Sequence, residues 1–259
     1  MKRLRARKRE QGVTLVELMI VVAILGVVVA AAYNMFEFQQ KSYTVQDQVA
    51  VMQQNVRVGL EYMVKEIRMA GYVPEDIPPN NTPPTGDVTG QAFANGVSEP
   101  IEEATASTIT LQADVDDDEQ TETVRYALNG TNLERNAWKW GGGAWGNATG
   151  AQTVADNIEA INFTYFLLAD DDGLNNDTDD DGDGQTDEAG ELLTWNFGVH
   201  GNLDTNDERG LIRQITLTMT ARVQNPDPDY RHPQQDDPYR RRTLTSKICL
   251  RNMKNQDEE

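Results

Sequence analysis

Asp177-Thr178-Asp179-Asp180-Asp181-Gly182-Asp183-Gly184-Gln185-Thr186-Asp187-Glu188 is the stretch whose residue types and spacing most directly imply chemistry. It fits D-x-[DN]-x-[DN]-G-x5-E at every defined position, the spacing of a calcium loop. Ca²⁺ takes six to eight hard oxygens, and Asp177, Asp179 and Asp181 can supply them from alternating positions while Gly182 permits the sharp turn. The Asp183 carbonyl and Gln185 add oxygens, and Glu188 closes the shell through both carboxylate atoms. Gly184 stands where an EF-hand carries an aliphatic residue, and the flanks (Leu167-Leu168, then Leu192-Leu193-Thr194-Trp195) read as strands. The expectation is an EF-type loop without EF-hand helices, holding a structural Ca²⁺; the weaker alternative is a solvated acidic loop. The shorter run Asp114, Asp116, Asp117, Asp118, Glu119 lacks the glycine and reads as a solvated hairpin tip.

A second charged group stands out because of where it is. Glu17 lies inside Val13–Ala32, an otherwise apolar run of 20 residues. As a helix rising ~1.5 Å per residue the run reaches roughly the 30 Å of a bilayer's hydrocarbon core. A charge there costs ~2.5 kcal/mol or more unless it is neutralised. Cutting the chain between Gly12 and Val13 would create an α-amino group one helical turn from Glu17, so that in a stack of such helices one subunit's amine can meet another's carboxylate. Before the run stand six basic residues and one acid, Glu10, a bias that holds the N-terminus in the cytoplasm and sends the rest across. A secretory signal peptide cut after Ala30-x-Ala32 is the weaker alternative, since the run is longer than a signal's apolar region and carries an acid. A plain transmembrane anchor explains the length but neither Gly12 nor Glu17.

Gly12, Thr14, Leu15, Glu17, Leu18 and the run Met19–Leu25 resemble the N-terminus of type IV prepilins and pseudopilins. The resemblance implies cleavage after Gly12 by a prepilin peptidase, N-methylation of the new N-terminus at Val13, and an assembly role for Glu17. Val13 departs from the more usual Phe or Met. Gln46, Gln53, Gln54-Asn55, Arg57 and Ile67-Arg68-Met69-Ala70-Gly71-Tyr72, with Tyr239-Arg240-Arg241-Arg242, are similar to PilW-type minor pilins. A GspJ-like pseudopilin of type II secretion has a comparable plan. The implied partners are the prepilin peptidase, other major and minor pilins, the assembly platform and, before assembly, the inner membrane; the implied destination is the pilus at the cell surface.

These residues need elements to position them. Val45, Val49, Met52, Val56, Leu60, Met63 and Ile67 recur at steps of three and four, so the helix continues beyond the membrane to Gly71, a left-handed C′ candidate with Pro74 behind it. Residues 72–100, rich in Pro, Gly and Asn, read as a surface connection. Alternation predicts strands at Thr108–Gln112 and Thr123–Leu128, a type I′ turn at Asn129-Gly130, and a return strand at Thr131–Arg135. Further strands carry Ile161 to Leu167, Ile215 to Val223, and Leu244 to Leu250. The expected fold is α+β and pilin-like, a long N-terminal helix packed on an antiparallel sheet. The expected division is a basic leader at 1–12, the helix at 13–71, and a β-rich head at 72–259 containing the calcium loop.

The formal net charge of the 259 residues is −19; removing residues 1–12, which carry +5, leaves −24. Such a surface repels phosphate, so nucleic acid is not an expected partner. Cys249 is the only cysteine and has no internal disulfide partner. Trp138, Trp140 and Trp145 around Gly141-Gly142-Gly143 read as packed on the sheet in preference to an exposed platform. His200 and His232 carry no nucleophile or metal-ligand spacing, and no catalytic constellation is read. The reading is a non-enzymatic minor pilin that primes or caps assembly. Its rivals are a pilin-anchored, calcium-dependent adhesive module and a secreted enzyme.

Overall fold

The computed structural model describes residues 12–72, 100–141, 144–145, 150–168, 192–197, 203 and 209–253. The chain forms two units, Met1–Gln48 and Val49–Glu259. One helix, α1 (Leu15–Met69), supplies the described regular structure of the first unit and enters the second. In the first unit its apolar residues face outward: an 18-residue window has a mean hydropathy of 2.8 and none of it is buried.

In the second unit α1 is amphipathic, as its spacing predicts. Met52, Val56, Met63 and Ile67 are buried, with Val49, Leu60, Val64 and Met69 packed beside them. Gly59 makes the closest approach: a Cβ there would lie 3.0 Å from Ala155 Cβ and 3.4 Å from both Leu133 Cδ2 and Met219 Sδ. The helix stops at Gly71, whose φ of +83° is the left-handed value expected for a helix C′ residue. The Gly71 N–H donates to Gln112 O, and the Asp114 N–H to Tyr72 O, both at 2.9 Å, so the helix end is sewn to the sheet.

The strands form two antiparallel sheets where sequence periodicity led to one. The first runs β1 (Ile101–Ala104), β2 (Ile109–Ala113), β3 (Glu122–Asn129), β4 (Asn132–Gly141), β5 (Ala144–Trp145), with β6 (Gln152–Ala155) also on β4. The second has the order β10-β9-β7-β8, built from β7 (Ile158–Leu168), β8 (Leu192–Thr194), β9 (Ile212–Arg222) and β10 (Arg241–Cys249). Gly59 touches residues of β4, β6 and β9, so both sheets pack against the helix. Alternation sees which face of a strand is buried but not which sheet the strand joins.

Two local expectations change. The β3–β4 loop is Gly130-Thr131, one residue later than expected, because Asn129 stays in the ladder opposite Asn132. Gly130 has φ +62° and Thr131 does not share the positive sign, which is the type II′ pattern with glycine first. The return strand is also longer than Thr131–Arg135 and continues to Gly141.

A buried polar knot locks helix to sheet. Glu66, 4% exposed, accepts bonds from Arg135 Nε at 3.1 and 3.0 Å and from Tyr126 Oη, while Arg135 Nη2 lies 2.9 Å from its Oε1. Burial first, and then the neighbouring Glu66 charge, push the Tyr126 hydroxyl far above its ordinary range, so it remains a donor.

Candidate functional site

At the N-terminal end, Thr14 and Glu17 bond reciprocally. The Thr14 N–H donates to Glu17 Oε2 at 2.8 Å, Thr14 Oγ1 donates to the same oxygen at 3.0 Å, and the Glu17 N–H donates to Thr14 Oγ1 at 3.2 Å. With the helix beginning at Leu15, Thr14 is the N-cap and Glu17 the third helical residue, so the pair is a capping box. It satisfies backbone donors that would otherwise be orphaned at the start of a helix in hydrocarbon. The T-x-x-E signature stands in the sequence, but a charge inside an apolar run points first to an intermolecular partner. Gly12 and Val13 precede the helix, exposed, with no regular structure.

The predicted calcium ligands Asp177, Asp179, Asp181, Asp183, Gln185 and Glu188 lie outside the described residues. What is described is where their segment leaves and rejoins the fold. Leu168 at the end of β7 pairs with Leu192 at the start of β8, followed by Leu167 with Leu193 and Phe166 with Thr194. Both flanks are therefore strands, as their composition implies, and they close into an antiparallel neck.

The second acidic run is the exposed tip between β2 and β3 that its composition implies, from Asp116 to Glu119, with Asp114 buried at its base. Asp114 is buried, and its carboxylate accepts the N–H groups of Asp118 at 3.2 Å and Glu119 at 3.0 Å. Asp117 and Glu119 adopt φ of 61° and 65°, so the tip turns without a glycine. Oxygens of Asp114, Asp116 and Glu122 lie within 4.8 Å of one another, close enough to share a cation. Lys139 brings one: its ammonium is 3.2 Å from Asp116 Oδ2, 3.2 Å from Glu122 Oε1, and bonded to Asp118. The contact with Glu122 Oε1 is an ion pair without hydrogen-bond alignment. The bond to Lys139 lowers the Asp118 carboxyl and raises the ammonium; burial raises Glu122.

Trp138 and Trp140 are buried, as packing on the sheet requires. Trp145 lies in β5, and its side chain, like His200, is outside the described residues. Cys249 is exposed, on the face of β10 opposite buried Ile248.

An exposed apolar helix with a carboxylate at its start, running into a head of antiparallel sheets, is the plan of a membrane-anchored type IV pilin-superfamily protein. Residues 7–33 match the prokaryotic N-terminal methylation motif, and residues 45–243 match the family described as prepilin peptidase-dependent protein B. The chain belongs to that family. Among solved structures it is similar to the type IV-like pilin TTHA1219 from Thermus thermophilus, at 11% identity and a TM-score of 0.41, covering 78% of this chain and 98% of the other. None of the curated proteins matches the chain.

Proposed function

We propose that the chain is a minor pilin of a type IV pilus, of the PilW-like kind, that helps to prime or cap assembly. It is cut after Gly12, N-methylated at Val13, held in the inner membrane with its leader in the cytoplasm, and then passed into the pilus. The observation that carries this reading is the state of Glu17. Its own chain uses only Oε2, and Oε1 accepts no bond among the described residues. A carboxylate with one satisfied oxygen and one free oxygen, at the head of an exposed apolar helix, suits the new amine of a neighbouring subunit. The head then rides outside the membrane, where Asp177, Asp179, Asp181, Asp183, Gln185 and Glu188 hold a structural Ca²⁺.

Mass spectrometry of the mature chain, together with the composition of sheared surface pili, tests the proposal. The expected result is an N-methylated N-terminus at Val13 and recovery of the chain in the pili. A chain beginning at Tyr33, or an intact Met1, overturns the processing step. Correct processing with recovery only alongside secretion components assigns the chain to a pseudopilus instead.

A further inference from the structure

Among the described residues, β10 pairs with β9 alone, and its other side is open. The N–H groups of Val223 and Leu250 donate to Arg240 O and Arg213 O, both at 2.9 Å, and these bonds set the phase of the ladder. Even-numbered residues of β10 exchange bonds with β9; Thr243, Thr245 and Lys247 turn their N–H and C=O groups away from it. No described residue bonds those outward groups, and all three residues are exposed. An edge of this kind is a template for one more strand.

A groove of about 350 Å³ runs beside it, lined by Leu60, Glu61, Val64, Lys65 and Arg68 of α1 and by Ser246 of β10. No residue of β9 lines it, which places it on the open side of β10. Leu60 and Val64 are partly buried and give an apolar floor. Lys65 and Arg68 are exposed and form no ion pair among the described residues, and neither do Arg242 and Lys247, which flank the edge on opposite faces of β10. In a chain of net charge −19 this is a local excess of cations, Lys65, Arg68, Arg242 and Lys247 against the one carboxylate of Glu61 in the groove.

We infer that this edge docks an extended acidic segment of another protein by strand addition. The incoming backbone pairs with Thr243, Thr245 and Lys247; its carboxylates meet Lys65, Arg68, Arg242 and Lys247; an apolar side chain lies on Leu60 and Val64. A second copy of this chain is a poorer occupant, because joining β10 to β10 sets two basic strands side by side. The inference goes beyond the proposed place in a pilus and is tested without one.

The test uses the full-length chain in detergent micelles and a synthetic peptide repeating Glu-Glu-Val-Val, which carries both residue types on each face of a strand, with Lys-Lys-Val-Val as control. Hydrogen exchange at Thr243, Thr245 and Lys247 slows about tenfold or more with the Glu peptide only, and added salt weakens the effect. Lys65→Glu with Arg68→Glu, both on the surface, lowers affinity about tenfold or more. Thr245→Pro removes an outward donor while sparing the β9 ladder, and it abolishes the protection. Unprotected edge amides, equal binding of the Lys peptide, or unchanged binding by the charge-reversed variant overturns the inference. Concentration-dependent self-association that protects the same amides overturns it in favour of a second copy.

Discussion

A methyl group placed on Gly71 would stand 2.5 Å from the backbone oxygen of Asn252, where neither atom belongs to a flexible side chain. Gly130 shares the left-handed backbone, with φ of +62°, but a methyl group there would meet nothing within 4 Å. The two therefore separate strain from crowding. Gly130→Ala should cost about 1–2 kcal/mol from backbone handedness alone, and Gly71→Ala distinctly more. Urea unfolding of the full-length variants in detergent checks the order; equal costs would show that the helix end yields easily. Glu17→Val gives a prediction of a different kind. It removes a membrane-buried charge but also half of a capping box, so the variant should still insert yet be lost from sheared pili. Normal recovery in pili would leave Glu17 with its local capping role only.

At the scale of elements, Glu66 ties α1 to β3 and β4 through Tyr126 and Arg135. Glu66→Ala leaves a buried guanidinium and a buried hydroxyl without their acceptor, and should cost about 3–5 kcal/mol in a melting experiment. Replacing Lys65, one residue away but exposed, by Ala should cost far less. The loop before β10 predicts a pH effect. Arg241 bonds Asp237 at 2.7 and 2.6 Å, and that bond holds the Asp237 carboxyl at about 2 against an ordinary 3.8. A lowered carboxylate stabilises the fold fully above the ordinary value and loses that contribution as pH falls from 3.8 toward about 2. Asp237→Asn should be less stable than wild type at pH 5, with the gap closing by pH 2, as read by thermal melts; a constant gap would reject the linkage. Much of this architecture is legible in the sequence. Steps of three and four mark the buried face of α1, and alternation finds β2, β3, β7, β9 and β10. β1 and β6 span only four residues each, too few for a period to register, while the similarly short β8 is read from its apolar composition. Glu66 escapes a reading by periodicity because an acid beside Met63 and Ile67 breaks the apolar pattern, and that break is itself the signal of a buried partner.

For the molecule as a whole, the apolar helix is readable in sequence because a membrane-crossing length needs only composition and count, whereas the division into two sheets depends on contacts between distant residues. The candidate metal ligands are legible as a spacing, and the neck that carries them as two apolar flanks. The proposed Ca²⁺ site would stabilise the head by RT ln(1 + [L]/Kd), about 1 kcal/mol when free calcium is several times Kd. With Kd of order 10⁻⁴ to 10⁻³ M, as in extracellular modules, the full-length protein should melt a few degrees higher in millimolar calcium than in chelator. Asp179→Ala should erase the difference, with magnesium a poor substitute. Identical wild-type melts in calcium and chelator, with no heat of binding, would return the segment to a solvated loop.

The pairing of Leu168 with Leu192 makes the way into the acidic segment and the way out immediate neighbours. Anything that starts and finishes at adjacent points is an exchangeable part. Closure entropy grows only with the logarithm of length, so doubling whatever flexible chain such a neck carries costs about 0.6 kcal/mol. The neck is thus a socket: a short glycine turn, an epitope or a binding loop of another specificity can be plugged in between the two leucines while both sheets keep their registers. A filament that accepts this subunit would then display whatever has been inserted.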